Sequence, residues 1–438
     1  MASLLGLVAL ARPASAHEPW TFGFGSRATA MGGAVSADVN DFSASYYNPA
    51  GLTGEKGVRI GFGYFSADQN LTINGKDSGV NSAHGVIFGL AATGDLFGLP
   101  IGIGIATFVP DEGLSRITAL RQEVPRWELY DNRSSVIYLT ANLAIRPWEP
   151  LEIGGGISFL TATRGRFEIS GEAELAAPYD SQLRHEVDVD LTSVRYPEAG
   201  VLLHLGKRAS VAVVYRGETK LDLQLEGNIQ AVLDAGFRVP IRYTLRAKTV
   251  QAFLPQQVVI GTSWNPIDNL KINADLTWLD WSAYENPTAY TYAKLEADVP
   301  PELPLELPGV LLPVEVRDPG FADRVVPRLG VEWYVPDIHE ADGTVVVRVP
   351  LRAGYVYEHT PIPEQSGITN FVDADRHTPS FGVGVEVAPL GLGLDLHGAV
   401  SVLPKRVTLK SSATDLVGDY EQEGQQVNVG ATMKGVFR

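Results

Sequence analysis

Hydrophobic and polar residues alternate one for one along several segments of this chain. At the C-terminus, Val427, Val429, Ala431, Met433, Gly435 and Phe437 alternate with Asn428, Gly430, Thr432, Lys434 and Val436. A period of two places successive side chains on opposite faces of a β-strand. The pattern recurs over residues 137–146, 186–191 and 271–278, so we predict a strand-rich chain. Soluble β-sandwiches alternate in the same way, and alternation alone does not separate the two classes.

The lengths of the connections do separate them. We predict about fourteen strands, an even number as membrane barrels have, at residues 57–67, 83–92, 100–109, 134–147, 151–170, 184–205, 209–227, 240–264, 270–283, 324–335, 345–358, 377–388, 392–404 and 424–437. Short turns at 146–150, 206–208 and 265–269 alternate with long connections at 110–133, 171–183, 228–239, 284–323, 359–376 and 405–423. Short periplasmic turns and long outer loops are typical of a transmembrane β-barrel, whose closure satisfies every strand edge in lipid. The predicted fold class is therefore all-β, an antiparallel transmembrane barrel in the bacterial outer membrane.

Aromatic residues near the predicted strand ends fit the girdles that such barrels carry at the two membrane interfaces. They are Tyr138, Trp148, Trp264, Trp278, Trp281, Trp333, Tyr334, Tyr355 and Tyr357. The alternative is that they form the core of a soluble β-protein.

The first 56 residues do not alternate, and they divide into two parts. An apolar run from Leu4 to Leu10 precedes the small residues Ala14-Ser15-Ala16. This layout predicts a secretory signal peptide at residues 1–16. Residues 17–56 are rich in Gly, Ala and Ser and contain Asn48-Pro49-Ala50. Because small residues allow tight packing, we predict that this segment plugs the lumen of a barrel formed by residues 57–438.

Composition excludes several other functions. The chain has no cysteine, so it carries neither a disulfide nor a cysteine metal site, and its formal charge of −16 argues against a nucleic-acid partner. The segment from Gly23 to Ala28 matches a dinucleotide fingerprint without the βαβ unit that this fingerprint needs. The glycines at 154–156 fall inside a strand, where glycine marks a bend or a close approach. Neither histidines at metal-ligand spacing nor a nucleophile elbow occur, so we predict no enzyme activity, metal or cofactor.

Three sequence blocks resemble the long-chain fatty-acid outer-membrane transporter (FadL) family, which includes aromatic-hydrocarbon channels. The first block contains Gly25-Ser26-Arg27-Ala28-Thr29-Ala30-Met31-Gly32-Gly33-Ala34, Asp41 and Tyr47-Asn48-Pro49-Ala50-Gly51-Leu52. The second contains Leu254-Pro255-Gln256, Gly261-Thr262-Ser263-Trp264-Asn265-Pro266 and Trp278-Leu279-Asp280-Trp281-Ser282. The third contains Gly354-Tyr355-Val356-Tyr357, Thr360-Pro361-Ile362-Pro363, Asp373-Ala374-Asp375-Arg376 and Ser380-Phe381-Gly382. The blocks occur in family order and span nearly all of the mature chain.

The resemblance implies a monomeric channel for passive uptake of long-chain fatty acids or of aromatic or aliphatic hydrocarbons. It implies that residues 17–56 are the family's hatch, with Asn48, Pro49 and Ala50 as its gating turn. The solute would bind a pocket under the hatch and leave sideways into the bilayer. The implied partners are the hydrophobic solute, outer-membrane lipid and lipopolysaccharide, and the barrel-assembly machinery. The alternative is a non-transporting barrel of the same type that acts as a scaffold in protein secretion at the cell surface.

Two sets of residues are candidates for solute binding. Arg328 and Arg352 fall on the polar phase of their strands, and a guanidinium pairs well with a carboxylate head group. The alternative for each of them is charge pairing along the barrel wall. The longest outer loop is rich in proline and apolar residues, and contiguous exposed apolar patches usually mark binding sites. We predict that its leucines capture the solute, the alternative being that they only cover the barrel: Leu303, Leu305, Leu307, Leu311 and Leu312.

Overall fold

The computed structural model is built almost entirely of β-strands. It describes residues 18–54, 56–111, 124–130, 137–174, 182–234, 238–284, 290–297, 318–339, 345–367, 369–410 and 417–437. The strands are β1 (Gly57–Ile73), β2 (Lys76–Asp77), β3 (Ala83–Leu96), β4 (Leu99–Pro110), β5 (Tyr138–Trp148), β6 (Leu151–Glu174), β7 (Gln182–His204), β8 (Ala209–Arg216), β9 (Thr219–Asp234), β10 (Arg238–Leu254), β11 (Gln257–Ile267), β12 (Leu270–Leu279), β13 (Tyr290–Ala297), β14 (Arg324–His339), β15 (Val345–Glu358), β16 (Arg376–Val387), β17 (Leu392–Thr408) and β18 (Tyr420–Phe437).

Fourteen of these strands close into an antiparallel barrel, which confirms the predicted fold class. Each barrel strand pairs with its neighbours around the wall, and β18 closes the ring on β1 from Val58–Phe437 to Ile73–Gln422. Alternation along β5 places Leu139 and Leu143 on the outer face and buries Thr140 and Asn142 inside. The outer face is therefore apolar and the lumen polar, as a barrel surrounded by lipid requires.

Two predicted strands were wrong because each continues beyond the barrel wall. Residues 209–227 and 240–264 were predicted as single barrel strands, but β8 pairs directly with β11, and the chain between them forms β9 and β10. Alternation continues through both segments, so it does not show where the chain leaves the barrel. A proline breaks the second segment at Pro255, and a side chain at Gly217 would collide with Pro197.

The strands outside the barrel extend the long-loop side of the molecule. β9 pairs with β10 and runs parallel to the outer part of β6, while β10 also pairs with β13. The segment 284–323, predicted as a long connection between barrel strands, therefore contains a strand. Leu303, Leu305, Leu307, Leu311 and Leu312 lie outside the described residues, so their predicted role in capture stays a prediction.

The aromatic residues follow the predicted girdles only in part. Trp148, Trp264, Trp333 and Tyr355 are exposed on the outer face of the barrel. The predictions for Tyr138 and Trp281 were wrong, because both side chains are buried. Tyr138 lies on the inward phase of β5, and Trp281 packs against Phe253 beyond the end of β12.

The N-terminal segment, which we define as residues 18–54, lies inside the barrel. It contains α1 (Glu18–Phe22), α2 (Ser26–Ala30), α3 (Ala44–Tyr47) and a 3₁₀ turn (Pro49–Thr53). Most of its side chains are buried, and several form one apolar cluster with inward-facing residues of the wall. Within the part of the chain that the structure describes, no helix has the length and apolar character needed to cross a membrane.

Candidate functional site

Glycines on the inner wall allow the N-terminal segment to approach the strands closely. A side chain at any of them would collide with this segment or, at Gly261, press tightly against it, so each position serves a close approach. They are Gly61 and Gly89 beside Phe42, Gly102 and Gly104 beside Leu52, Gly154 beside Pro49, Gly200 beside Asn48, Gly261 beside Ser36, Gly330 and Gly354 beside Met31, and Gly382 beside Ala30. The prediction that the glycines at 154–156 mark a close approach therefore holds for Gly154.

The Asn48-Pro49-Ala50 turn is built around the side chain of Asn48, which is fully buried. Its Oδ1 accepts a hydrogen bond of 3.0 Å from the backbone N–H of Ala50, and its Nδ2 donates one of 2.8 Å to the carbonyl of Ser36. Asn48 thereby caps the 3₁₀ turn, and Pro49 supplies the fixed φ of the first position. The turn lies against β6 and β7 at Gly154 and Gly200.

Arginines of the barrel wall bind the backbone carbonyls of this segment. Nη2 of Arg216 donates to the carbonyls of Tyr46 (2.6 Å) and Tyr47 (2.7 Å) at the end of α3. Arg59 donates to the carbonyls of Asn40 and Leu52. The last carbonyls of a helix have no partner within it, and a guanidinium offers several donors. Our sequence analysis missed these arginines, because the spacing of a lone arginine carries no signal for a distant carbonyl.

On the short-turn side of the segment, Arg352 belongs to a buried ionic network. Its Nε lies 2.7 Å from Oε1 of Glu332, and its Nη1 lies 2.6 Å from Oδ1 of Asp395. Arg27 of α2 joins the network through Glu332 at 3.0 Å and Asp38 at 2.5 Å. Two carboxylates thus pair with Arg352. Because one of them, Glu332, also pairs with Arg27 of α2, the network connects the wall to the N-terminal segment.

On the long-loop side, the segment forms the floor of a cavity of about 110 Å³ that is partly open to solvent. Trp20, Phe22 and Tyr46 contribute aromatic surface to it. The strands contribute small polar side chains and the charged residues Arg216, Asp275, Glu358 and Arg376. Arg328 also lines this cavity, and its Nη1 donates a 2.6 Å hydrogen bond to Oγ1 of Thr277. Among the residues that the structure describes, Arg328 forms no ion pair. The structure thus separates the two predicted arginines, with Arg328 at the cavity and Arg352 in the network below.

Loops from three connections between barrel strands, β4–β5, β12–β14 and β15–β16, cover the outer end of the barrel. The N–H of Arg126 donates to the carbonyl of Asn370 (3.1 Å), and the N–H of Val372 donates to the carbonyl of Arg126 (2.8 Å). The rings of Tyr284 and Phe321 stack with their centroids 4.2 Å apart. We call the covering loops, at residues 124–130, 281–284, 318–323, 359–367 and 369–375, the outer cap.

The outer cap contains a buried carboxyl group, Asp373. Burial raises the pKa of Asp373 to about 6, although the nearby Thr360, Arg324 and Arg376 act in the opposite direction. An unfolded aspartate titrates near pH ~3.9. The carboxyl group of Asp373 therefore binds its proton more tightly in the folded cap than in the unfolded chain. The stability that the cap gains from this protonation is lost as the pH rises from about 4 through about 6.

We expect backbone hydrogen exchange in residues 369–374 to be slower at pH 5 than at pH 7.5, after correction for the intrinsic rates. Asp373→Asn should remove this difference, because the amide stays neutral at both values. The control is a peptide from β5, whose protection should not change between the two pH values. Equal protection of the cap at both pH values in the unmodified protein would contradict the prediction.

Comparison with known proteins agrees with this geometry. No protein-family model matches the chain. It is 23% identical over 362 residues to alkane uptake protein A of Marinobacter nauticus, which covers 78% of this chain and 73% of that protein.

Solved structures show the same barrel at low sequence identity. A FadL homologue from Pseudomonas aeruginosa has a TM-score of 0.58 at 13% identity, covering 98% of this chain and 99% of that one. The CymD monoaromatic hydrocarbon channel has a TM-score of 0.56 at 16% identity, covering 95% and 98%. The toluene transporter TodX of P. putida also has a TM-score of 0.56, at 15% identity, covering 95% and 99%. These likenesses confirm the predicted fold.

Proposed function

We propose that this chain, whose barrel has the fold of FadL-type proteins, is an outer-membrane channel for the passive uptake of hydrophobic small molecules. The solute class is aliphatic or aromatic hydrocarbons or long-chain fatty acids. The name of the alkane uptake relative favours aliphatic solutes within this class. We infer no catalytic step.

The observation that carries this proposal is the cavity between the N-terminal segment and the outer cap. It offers aromatic and apolar surface beside charged side chains of the strands, in a lumen whose other side is filled with charged pairs. A hydrophobic solute gains free energy by leaving water for such a surface, whereas a water-filled pore offers it none. The cavity is thus suited to a solute that avoids water.

We infer that the N-terminal segment acts as a hatch. The Asn48-Pro49-Ala50 turn would shift when solute occupies the cavity, and the solute would then leave sideways into the bilayer. Capture at the cell surface would fall to the leucines of the outer loop, Leu303, Leu305, Leu307, Leu311 and Leu312. Support for the hatch comes from the tight seat of residues 18–54 on the wall glycines.

We propose Arg328 as the residue that binds an acidic head group, in preference to Arg352. A guanidinium next to a cavity and without an ion pair can accept a carboxylate. Arg352 would first have to give up Glu332 or Asp395.

The proposed function is tested by uptake into cells. A strain without the gene and the same strain carrying it on a plasmid receive radiolabelled hexadecane, oleate or glucose. We expect the plasmid to restore uptake of hexadecane or oleate and to leave glucose uptake unchanged. If neither hydrophobic solute enters faster, the transport function is wrong. A defect in the surface display of secreted proteins in the same strain would then support the scaffold alternative.

A further inference from the structure

Two barrel strands continue far beyond the barrel wall and become part of a second sheet. β6 has 24 residues and β7 has 23, whereas a strand crosses a membrane with about 9–11 residues. Beyond the wall, β9, β10 and β13 join them, and the strands pair in the order β7–β6–β9–β10–β13. We call this sheet, at residues 164–174, 182–190, 224–234, 238–248 and 290–297, the outer sheet.

The register assigns each residue of the outer sheet to one of its two faces. Directly paired residues share a face, and successive residues along a strand alternate between the faces. On one face, every position except His185 and Thr291 is apolar, aromatic or glycine. Strand by strand, these positions are Leu183, Val187 and Val189; Gly165, Phe167, Ile169, Gly171 and Ala173; Leu225, Gly227, Ile229, Ala231 and Leu233; Val239, Ile241, Tyr243, Leu245 and Ala247; and Ala293, Leu295 and Ala297.

The opposite face of the outer sheet is charged, and its charges match one another. One row across four strands alternates in sign, and it consists of Asp188, Arg166, Glu226 and Arg246. In a neighbouring row, Arg242 of β10 is paired with Glu296 of β13. Opposite charges at directly paired positions stabilise a sheet. The charged face therefore has its own partners within the sheet, whereas the apolar face does not.

The apolar face lies on the outer side of the wall. In the barrel part of β6, Ile153 and Ile157 are exposed outside, while Glu152 and Ser158 are buried inside. The pairing of β6 with β7 runs without a shift from Leu151–Leu203 to Glu172–Gln182. The alternation therefore keeps its phase into the outer sheet, so the apolar face continues the outer surface of the wall and the charged face continues the lumen.

A polar belt separates this face from the lipid-facing part of the wall. On the same phase of β6 and β7, the positions between the two apolar regions include Thr161, Thr163, Ser193 and Arg195. The guanidinium of Arg195 lies 5.9 Å from the centre of the Phe159 ring. Polar residues at this height mark the place where a membrane strand leaves the hydrocarbon. The apolar face beyond the belt is therefore not explained by contact with lipid.

The apolar face is large enough to form an interface. Five strands with a spacing of about 4.8 Å are about 19 Å wide, and residues 165–173 extend over about 26 Å. The face thus covers roughly 500 Å², at the upper end of the apolar patches that monomeric proteins carry. Within the described part of the chain, β9, β10 and β13 have their main contacts with strands of this same sheet, so the described elements supply no second layer.

We propose that the apolar face of the outer sheet is a dimer interface, and that a second copy of this chain covers it. This inference goes beyond the proposed uptake function and does not depend on it. It also replaces the monomer that the resemblance to the FadL family implies.

A second copy fits this face because of its position and its size. Two copies in one membrane have the same orientation, so a two-fold axis along the membrane normal turns their outer faces toward each other. Together they bury about 1,000 Å², the area that a specific interface needs. The face also alternates in relief, since Gly227 lies between Phe167 and Leu245 in one row. Large residues of one copy can therefore pack over small ones of the other, as in the core between two aligned sheets.

The first test uses crosslinking in a chain that has no cysteine of its own. Ile229→Cys lies on the apolar face of β9, the central strand of the outer sheet, and Gln230→Cys is the matched control on the charged face. The purified proteins are treated in dilute detergent solution with a short bis-maleimide and run on a denaturing gel. We expect a covalent dimer from Ile229→Cys and none from Gln230→Cys. Equal crosslinking of the two variants would indicate random collision and overturn the interface.

The second test measures mass by native mass spectrometry in mild detergent. The unmodified protein should be a dimer, and Ile229→Asp/Tyr243→Asp should be a monomer, because carboxylates without partners are costly to bury in an apolar contact. The control is Asn228→Asp/Thr244→Asp, the next cross-strand pair on the charged face, which should stay a dimer. Heat-modifiable migration on gels confirms that each barrel is assembled.

Two results would overturn the proposed dimer. One is a monomeric unmodified protein, and the other is loss of the dimer in both double variants. If the monomer also protects Ile229→Cys from a maleimide, another part of the chain or a bound solute covers the face in place of a second copy. Each of these results leaves the proposed uptake function standing, because that function is measured separately by the entry of hexadecane and oleate into cells.

Discussion

Replacing both Gly154 and Gly200 with valine is expected to lift the N-terminal segment off the wall and to let ions and small polar solutes cross the barrel. The new side chains would collide with the backbone at Pro49 and with the side chain of Asn48. Overpacking of this kind costs about 1–3 kcal/mol, which corresponds to a shift of roughly 5- to 150-fold between two conformations.

Conductance of the purified barrel in a planar bilayer measures this effect directly. Gly94→Val is the matched control, because a side chain at that strand position meets no neighbour. Both variants must show the same heat-modifiable migration as the unmodified protein. If an assembled Gly154→Val/Gly200→Val barrel conducts no more than the control, the N-terminal segment does not seal the lumen against the wall at these glycines.

Arg328→Ala is expected to weaken oleate binding by about 10- to 150-fold, because a hydrogen bond to a charged group contributes ~1.5–3 kcal/mol. Hexadecane binding should stay unchanged, since an alkane has no group for the guanidinium. Arg328→Lys keeps the charge but loses the planar fork, so its affinity for oleate should lie between the other two. Binding of both solutes is measured by displacement of a fluorescent fatty acid and by co-purification from detergent.

Arg352→Ala should behave differently although it removes the same kind of side chain. It would leave Glu332 and Asp395 buried without this partner, a loss of ~3–5 kcal/mol for a buried pair. We expect a lower unfolding temperature and weaker protection of residues 26–38, with the ratio of oleate to hexadecane affinity retained. Loss of that ratio in Arg352→Ala, but not in Arg328→Ala, would reverse the assignment of the two arginines.

The strands could be predicted from the sequence because the two faces of each strand meet different surroundings, lipid outside the barrel and the polar lumen inside it. Leu139, Leu143, Val427 and Met433 lie on the outer face as the alternation predicts. The departure of the chain from the barrel after β8 could not be predicted, because strands above the membrane alternate in the same way as strands within it. Gly217 and Pro255 were the available signals, and they mark the exit and the return.

The residues of the candidate site could be predicted only where neighbouring residues in the sequence form that part of the site. Asn48-Pro49-Ala50 forms a turn from its own atoms, so its residues could be identified without the fold. The partners of Arg216 and Arg352 come from distant parts of the chain, and no spacing in the sequence relates them. For the same reason Arg328 and Arg352 appeared equivalent in the sequence although the structure places them in different surroundings.

The closure of the ring by β1 and β18 imposes an order on biogenesis. These strands stand at opposite ends of the barrel sequence, and such non-local pairing forms late because a long loop must first be closed. Ser26 already contacts Thr432 of the last strand from inside, with 2.9 Å between their hydroxyl oxygens. The N-terminal segment therefore lies directly behind the seam that closes the ring, and its seating and the closure of the wall share this contact. Residues from the two ends of the sequence thus meet at one place, on the inner side of the last seam.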